Sequence, residues 1–255
     1  MWMCQACGVA PPDSTPATAG RAPPAVTAAE VSARDRDLAP IAALFGDPAR
    51  VAMLSALAAG HALPAGDLAR AAGVHPATAT AHLRRLIDAD LVRVRAQGRH
   101  RYHELAGPQV NEVLEALAQL SPPAPVTSLR QQRTATATVE ARTCYDHLAG
   151  RRGVQLRDRL LDADAIRLIN DRDHVLTDHG HGLLANVGLD PAALPRRRVF
   201  ARSCVDWTHR RPHLAGALAA AITQHLIDQA WLTPGPGRAL NASPDYDQRL
   251  DHWLA

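Results

Sequence analysis

The segment Leu63–Leu105, LPAGDLARAAGVHPATATAHLRRLIDADLVRVRAQGRHRYHEL, constrains the fold more than any other stretch of this chain. It carries three signals in order. Asp67–Ala72 is a short amphipathic run stopped by Gly73, a residue free to take the left-handed conformation that ends a helix. A second helix opens at Pro76, where a missing N–H costs nothing. It runs through Ile87, with Ala79, Leu83 and Leu86 at helical spacing facing a core. A β-hairpin follows, Leu91–Arg95 and Arg101–Leu105, joined by residues 96–100. Helix, turn, helix and basic hairpin is the order in which proteins read duplex DNA. One helix braces on the backbone, the next enters the major groove, and the hairpin reaches flanking phosphates or the minor groove.

The spacing turns Ala77, Thr78, Ala81, His82 and Arg85 outward and leaves Thr80 at the margin. Small and hydroxylic residues let backbone approach base edges, while His82 and Arg85 carry donors for bases or phosphates. Arg95, Arg99, His100 and Arg101 place cationic groups on the hairpin, where a phosphate-tracking face needs them. Upstream, Asp47-Pro48 makes a turn into a helix whose Val51, Leu54 and Leu57 share one face. With the Asp-Pro-x-Arg entry at Asp47–Arg50, the Asp67-Leu68-Ala69 and Gly73 pair, the Thr78–Leu83 stretch and the Gly98–Tyr102 wing, the chain resembles the arsenic-repressor (ArsR/SmtB) family of bacterial winged-helix regulators. The resemblance spans about residues 38–120. It implies a homodimer on a palindromic double-stranded DNA operator, usually a repressor, with the dimer contact near Ile41–Phe45 and Val110–Leu120. His75 departs from the family pattern, which has Ser as the helix cap.

Composition fits a cytoplasmic regulator. The chain has 255 residues, a net charge of only +3, and four Cys. So few thiols do not make a disulfide framework. No apolar run is long enough for a membrane span, and no secretion signal opens the chain. Residues 1–35, rich in Pro, Ala, Ser and Thr, read as a disordered leader. Within it, Cys4-Gln5-Ala6-Cys7 offers half a zinc site at most. Residues 36–121 form the winged helix-turn-helix. Pro122, Pro123 and Pro125 punctuate the chain, and 122–255 form a dimerisation or sensing domain. A long helix is expected from Val126 to about Gly150.

The C-terminal half contains a repeat. Leu86-Ile87-Asp88-Ala89-Asp90-Leu91 is echoed by Leu160-Leu161-Asp162-Ala163-Asp164-Ala165 and, more faintly, by Leu226-Ile227-Asp228-Gln229-Ala230-Trp231. Each reads as a helix end feeding a hairpin, with turns at Asn170–His174 and Pro234–Gly237. The expected architecture is therefore mainly α with small β-hairpin wings (α+β), a winged helix-turn-helix plus a C-terminal winged-helix-like domain.

The metal sites usual in the resembled family lack their ligands here: Pro64, Ala65 and Gly66 occupy one position, and Val110–Leu120 offers only Asn111, Glu112 and Glu115. The remaining soft ligands are Cys144 with His147, three apart on the expected helix, and Cys204 with His209. Both segments resemble a C-terminal extension found in a subset of these regulators. Flanking Arg and His favour the thiolate, so the four residues form a candidate sensor for oxidant, metal or metalloid. No cofactor is assignable. Asp171, Asp173, His174, Asp178, His179 and His181 crowd a stretch that a metallohydrolase could use, but Gly180 and Gly182 suggest a hairpin and a turn with solvated polar groups. The reading is a non-enzymatic DNA-binding regulator. A thiol- or metal-dependent enzyme built on the C-terminal half and a winged-helix protein scaffold are the alternatives.

Overall fold

Asp47 and Arg50 fix the first corner of the fold. In the computed structural model, which describes residues 36–255, helix α1 (Ala39–Phe45) ends just before helix α2 (Pro48–Leu57). Asp47 caps α2 by accepting the Arg50 N–H at 2.9 Å. The buried Arg50 side chain turns back and donates from Nε to the Leu44 carbonyl at 2.9 Å and from Nη2 to the Ala43 carbonyl at 2.8 Å. Carbonyls that the end of α1 would otherwise leave unpaired are thereby satisfied. The expected leader and Cys4/Cys7 lie outside the described residues.

Strand β1 (Leu63–Pro64), helix α3 (Ala65–Ala72), helix α4 (Pro76–Asp88), strands β2 (Val92–Gln97) and β3 (His100–Leu105) and helix α5 (Pro108–Leu120) complete the first half. Gly73 ends α3 at φ 65°. The sheet runs β1-β3-β2 and is antiparallel. β1 was not expected; it is a two-residue edge strand, the place where Pro64 is tolerated. The hairpin loop is tighter than expected: Gln97 pairs with His100, leaving Gly98 and Arg99 at the tip, with Gly98 at φ 59°. Met53, Leu54, Leu57, Leu68, Ala79, Leu83, Leu86, Leu105 and Leu114 form one core.

Beyond it, the long helix expected over 126–150 is corrected. Helix α6 spans Leu129–Glu140 only, and strands β4 (Arg142–Cys144) and β5 (His147–Ala149) follow. Strands of three residues are too short for an alternating period to separate them from the end of a helix. Tyr145 supplies the turn at φ 63°, and its N–H donates to the Ala58 carbonyl at 3.0 Å. Next come α7 (Arg151–Asp162), β6 (Ile166–Leu168), β7 (His174–Leu176) and α8 (Asp178–Asn186), then β8 (Arg202–Val205), β9 (Pro212–Ala215), α9 (Ala217–Asp228), β10 (Leu232–Pro234), β11 (Leu240–Ala242) and α10 (Tyr246–Leu254). The turn expected at Gly180 and Gly182 is instead inside α8. A Cβ at Gly180 would collide with the Ala165 carbonyl, so glycine there permits the helix to lie on the hairpin. Among the described residues, no helix is long and apolar enough to cross a membrane.

The helix-to-hairpin repeat is present three times, with the same hydrogen bonds. Asp90, Asp164 and Ala230 each sit in the left-handed region, at φ 54°, 52° and 55°. Their N–H groups bond the carbonyls of Ile87, Leu161 and Ile227, each at 2.9 Å. The next residues, Leu91, Ala165 and Trp231, reach back to Leu86, Leu160 and Leu226. This paired capping ends a helix and aims the chain into a strand. In the C-terminal half the repeat extends further back. β4–β5 and β8–β9 are both hairpins that enter a helix through glycine: Gly150 at φ 76° before α7 and Gly216 at φ 100° before α9. Each unit is hairpin, helix, hairpin, helix. The shared core includes Leu148, Leu156, Leu160, Leu214, Leu218, Ile222, Leu226, Trp231, Tyr246 and Trp253.

Gly216 tests this construction. A Cβ there would lie 2.7 Å from the Val199 carbonyl oxygen, in a backbone conformation that L residues avoid. Gly216→Ala is expected to lower stability by about 2 kcal/mol or more, read as a fall in the urea midpoint. Gly98→Ala, at an exposed tip with nothing within 4 Å of the added carbon, loses only the torsional part.

Candidate nucleic-acid interface

Helix α4 presents its face by simple geometry. Successive residues are about 100° apart, so burial of Ala79, Leu83 and Leu86 sends Ala77, Thr78, Ala81 and Arg85 to the opposite side. All four are exposed, as is Thr80. Thr80 Oγ1 donates to the Pro76 carbonyl at 3.0 Å, within its own helix. His75, unusual at the cap, does the capping: its Nδ1 accepts the Ala77 N–H at 3.4 Å.

His82 does not join the outward group. Its side chain is only 16% exposed, and Nδ1 lies 3.8 Å from Asp47 Oδ1 at the start of α2. Position 82 is one turn from Ala79 and Leu86 on the same flank, so it borders the core rather than the open face. His82 therefore lies beside the Asp47 corner, outside the open face of α4.

The wing carries its charges on both faces. Arg95 stands opposite Tyr102 and Ala96 opposite Arg101. Side chains alternate along a strand, so Arg95 and Arg101 point to opposite sides of the ribbon, and Arg99 sits at its tip. These three and His100 are exposed. Among the described residues, Arg85, Arg95, Arg99 and Arg101 enter no ion pair, whereas Arg70 and Arg84 pair with Asp67 and Asp88.

The sensor residues are brought together differently from the expectation. Cys144 and His147 do not share a helix face; they are cross-strand partners in β4–β5. Cys204 has the same relation to His213 in β8–β9. The two hairpins face each other, with the sulfurs 4.0 Å apart and the imidazole rings stacked at 5.1 Å. His209 lies apart, its N–H donating to Asp206 Oδ1 at 2.9 Å and its ring 2.8 Å from Thr208 Oγ1. Sequence reasoning passed over His213, although a signal was there: His-Leu-Ala-Gly at 147–150 recurs at 213–216. The Cys204 sulfur and burial push the Cys144 thiol well up, against the expected thiolate. The flanking cation is spent elsewhere: Arg142 Nη2 lies 2.9 Å from Asp206, both fully buried. Burial pushes His213 well down.

The Asp/His stretch does not converge. His174 is buried, Asn170 Oδ1 accepts the N–H groups of Arg172 and Asp173 in the turn, and Asp178 and His179 are exposed on α8. Helix α5 links the two halves through the three polar residues that are too few for the usual metal site. Asn111 Nδ2 donates to Cys144 Sγ at 3.2 Å, Glu112 pairs with Arg202, and Glu115 pairs with Arg238 at 2.8 Å and Arg142 at 3.7 Å.

The chain is similar to several known proteins. Residues 45–95 match the family model described as a helix-turn-helix domain. The chain is 37% identical over 201 residues to the uncharacterized HTH-type transcriptional regulator YdfF of Bacillus subtilis, covering 78% of this chain and 88% of that protein. Among solved structures, NolR from Sinorhizobium fredii is similar at 24% identity, over 34% of this chain and 85% of its own, with a TM-score of 0.31. The homodimeric winged helix-turn-helix DNA-binding domain of Mb0332 from Mycobacterium bovis is similar at 29% identity, over 32% and 75%, with a TM-score of 0.30.

Separate tasks for wing and helix give separable outcomes. Arg99→Ala should weaken binding to every duplex and reduce the slope of log affinity against log salt by about 1. Arg85→Ala should narrow the gap between preferred and random DNA, by about 1–3 kcal/mol for a base-edge contact. His82→Ala should leave that gap unchanged. Mobility shifts across a salt series check all three.

Proposed function

This chain belongs to the helix-turn-helix transcriptional regulators, of the ArsR-type winged-helix kind its motifs resemble, and on that footing we propose that it works as a homodimeric repressor in the cytoplasm, released from DNA by a signal received in its C-terminal half. The observation that supports the reading is the pairing of a small-residue face on α4 with unpaired arginines on the wing. In this reading Thr78 and Arg85 approach base edges, aided by the small Ala77 and Ala81 and by Thr80. Arg95, Arg99, His100 and Arg101 hold phosphates on either side of the wing. His82, expected from sequence to touch bases, lies instead beside Asp47 at the edge of the core and takes no part in base contact. Residues 36–121 act as the DNA-binding domain and 122–255 as the sensing domain, with Cys144, His147 and Cys204 at its centre.

The dimer is supported by the apolar surface of the first and last helices of the winged domain. Ile41 on α1 and Val113, Leu117 and Leu120 on α5 are all exposed, Leu120 at 85%. Apolar residues gathered on one face of a helix need a partner surface. A twofold pairing there presents two copies of α4 to half-sites one helical turn apart, about 34 Å.

Sedimentation equilibrium with and without a duplex from the chain's own upstream region tests this. The wild type should sediment as a dimer and bind as one. Val113→Asp with Leu117→Asp should give a monomer whose affinity for the two-half-site duplex is at least ~10-fold lower, because linkage between the half-sites is lost. A wild-type monomer that binds the same duplex with unchanged affinity in the double variant would refute the dimer.

A further inference from the structure

We propose that Cys144, His147, Cys204 and His213 form a tetrahedral site for one zinc-type cation, which joins the two hairpins of the tandem repeat. The inference deepens the reading above, because it names the chemistry received by the sensing half. One donor atom from each residue can be chosen so that all four lie within 4.8 Å of one another. Four ligands around zinc, with Zn–S near 2.3 Å and Zn–N near 2.0 Å, place their donor atoms roughly 3.3–3.8 Å apart. The two sulfurs, at 4.0 Å, are already close to that spacing and require only a small contraction.

The polar atoms at this place call for a ligand. Nε2 of His147 and both ring nitrogens of His213 are buried and have no hydrogen-bond partner. His213 is fully buried and Cys144 is too. Unpaired buried imidazole nitrogens are costly, and two of them stacked beside two sulfurs are not explained by packing. Asp146 Oδ1 lies 3.4 Å from Nδ1 of His147. A carboxylate on the other ring nitrogen is the usual support of a metal-bound histidine, leaving Nε2 to face the ion. The charge also balances. A divalent cation with two thiolates and two neutral imidazoles sums to zero, which suits a buried place. Binding releases the protons carried by the ligand atoms to solvent and changes no oxidation state.

The pseudo-symmetry explains the origin of the set. Each hairpin contributes one cross-strand Cys–His pair, Cys144 with His147 and Cys204 with His213. Half a site is encoded once per repeat unit, and only the paired units complete it. All four positions come from protein, so no open coordination position remains for a substrate, which makes the site structural or sensory rather than hydrolytic. Cys204 is the one partly exposed ligand and borders a cleft of about 300 Å³ that Glu112 and Glu115 also line. The ion enters there. Asn111 on α5 donates to Cys144 Sγ, and a metal-bound thiolate is the better acceptor. Occupancy is thereby felt on the helix that carries the proposed dimer surface.

Cobalt titration tests the site. The protein would be the full chain with Cys4→Ser and Cys7→Ser, so that those thiols contribute nothing, reduced and stripped of metal. One Co²⁺ per chain should give the strong visible bands of tetrahedral cobalt and a thiolate charge-transfer band, both displaced by Zn²⁺. Cys204→Ser and His213→Asn should abolish the tetrahedral spectrum while circular dichroism stays that of the parent, and Asp146→Asn should weaken cobalt binding about 10–100-fold. A six-coordinate spectrum in the parent, or a charge-transfer band unchanged in Cys204→Ser, would overturn the site. Mobility shifts on the same preparations keep the two proposals apart. A protein that shifts DNA but gives no tetrahedral cobalt refutes the site alone; one that gives the spectrum but never shifts DNA supports the site and refutes the repressor reading.

Discussion

The ion pair between Arg142 and Asp206 ties the two hairpins of the C-terminal repeat to each other. Both side chains are fully buried, 2.9 Å apart. Asp206 also accepts the Gly150 N–H at 2.7 Å and those of Thr208 and His209 at 2.9 Å, so its carboxylate is saturated by donors. Burial alone would raise its pKa, yet Arg142 and these donors hold it far below the usual carboxylate range. Arg142 in turn stacks on Trp207 at 4.7 Å and approaches Glu115 of α5. One interaction therefore touches both hairpins of the repeat, the entry to α7 and the last helix of the winged domain. A buried pair of this kind is weak evidence for net stability but costs several kcal/mol to break. Its consequence here is geometric: it sets the distance between β4–β5 and β8–β9, and so between the two sulfurs.

That arrangement was only partly legible in the sequence. The helix-to-hairpin repeat could be read because its cap demands a left-handed residue after an amphipathic helix, and Leu-Ile-Asp-Ala-Asp recurs almost letter for letter. The hairpins ahead of α7 and α9 were harder. Their strands are three or four residues long, too short for an alternating period to show, so Arg142–Ala149 looks like a continuation of α6. Cys144 and His147 are three apart, which suits a helix face as well as a two-residue hairpin turn. Tertiary contact decides: Gly60 lies so close to the Tyr145 carbonyl that no side chain fits, and the Tyr145 N–H is taken by Ala58. No local signal reports those partners.

In the winged domain the opposite held, because its signals are local. Asp47-Pro48, Gly73, Pro76 and Gly98 each act on the backbone within a turn of themselves, and each stands where its chemistry requires. His82 shows the limit of that reasoning. Helical spacing puts it on the border of the exposed arc, and the structure places it on the inner side of that border, beside the Asp47 cap of α2. The polar residues of α5 teach the same lesson. Asn111, Glu112 and Glu115 are unremarked by spacing, yet each meets a partner more than thirty positions along the chain. They turn α5 into a shared wall between the DNA-facing half and the thiol–imidazole cluster.

The proposed homodimer sets α4 and the wing on duplex DNA as a pair related by twofold symmetry. Hydroxyl-radical footprinting of the full chain on its own upstream DNA addresses this most directly. Two protected segments centred about 10 base pairs apart, each flanked by weaker protection where a wing tracks the backbone, is the predicted result. A single unpaired footprint, or uniform protection that fades with salt and follows no sequence, would contradict it.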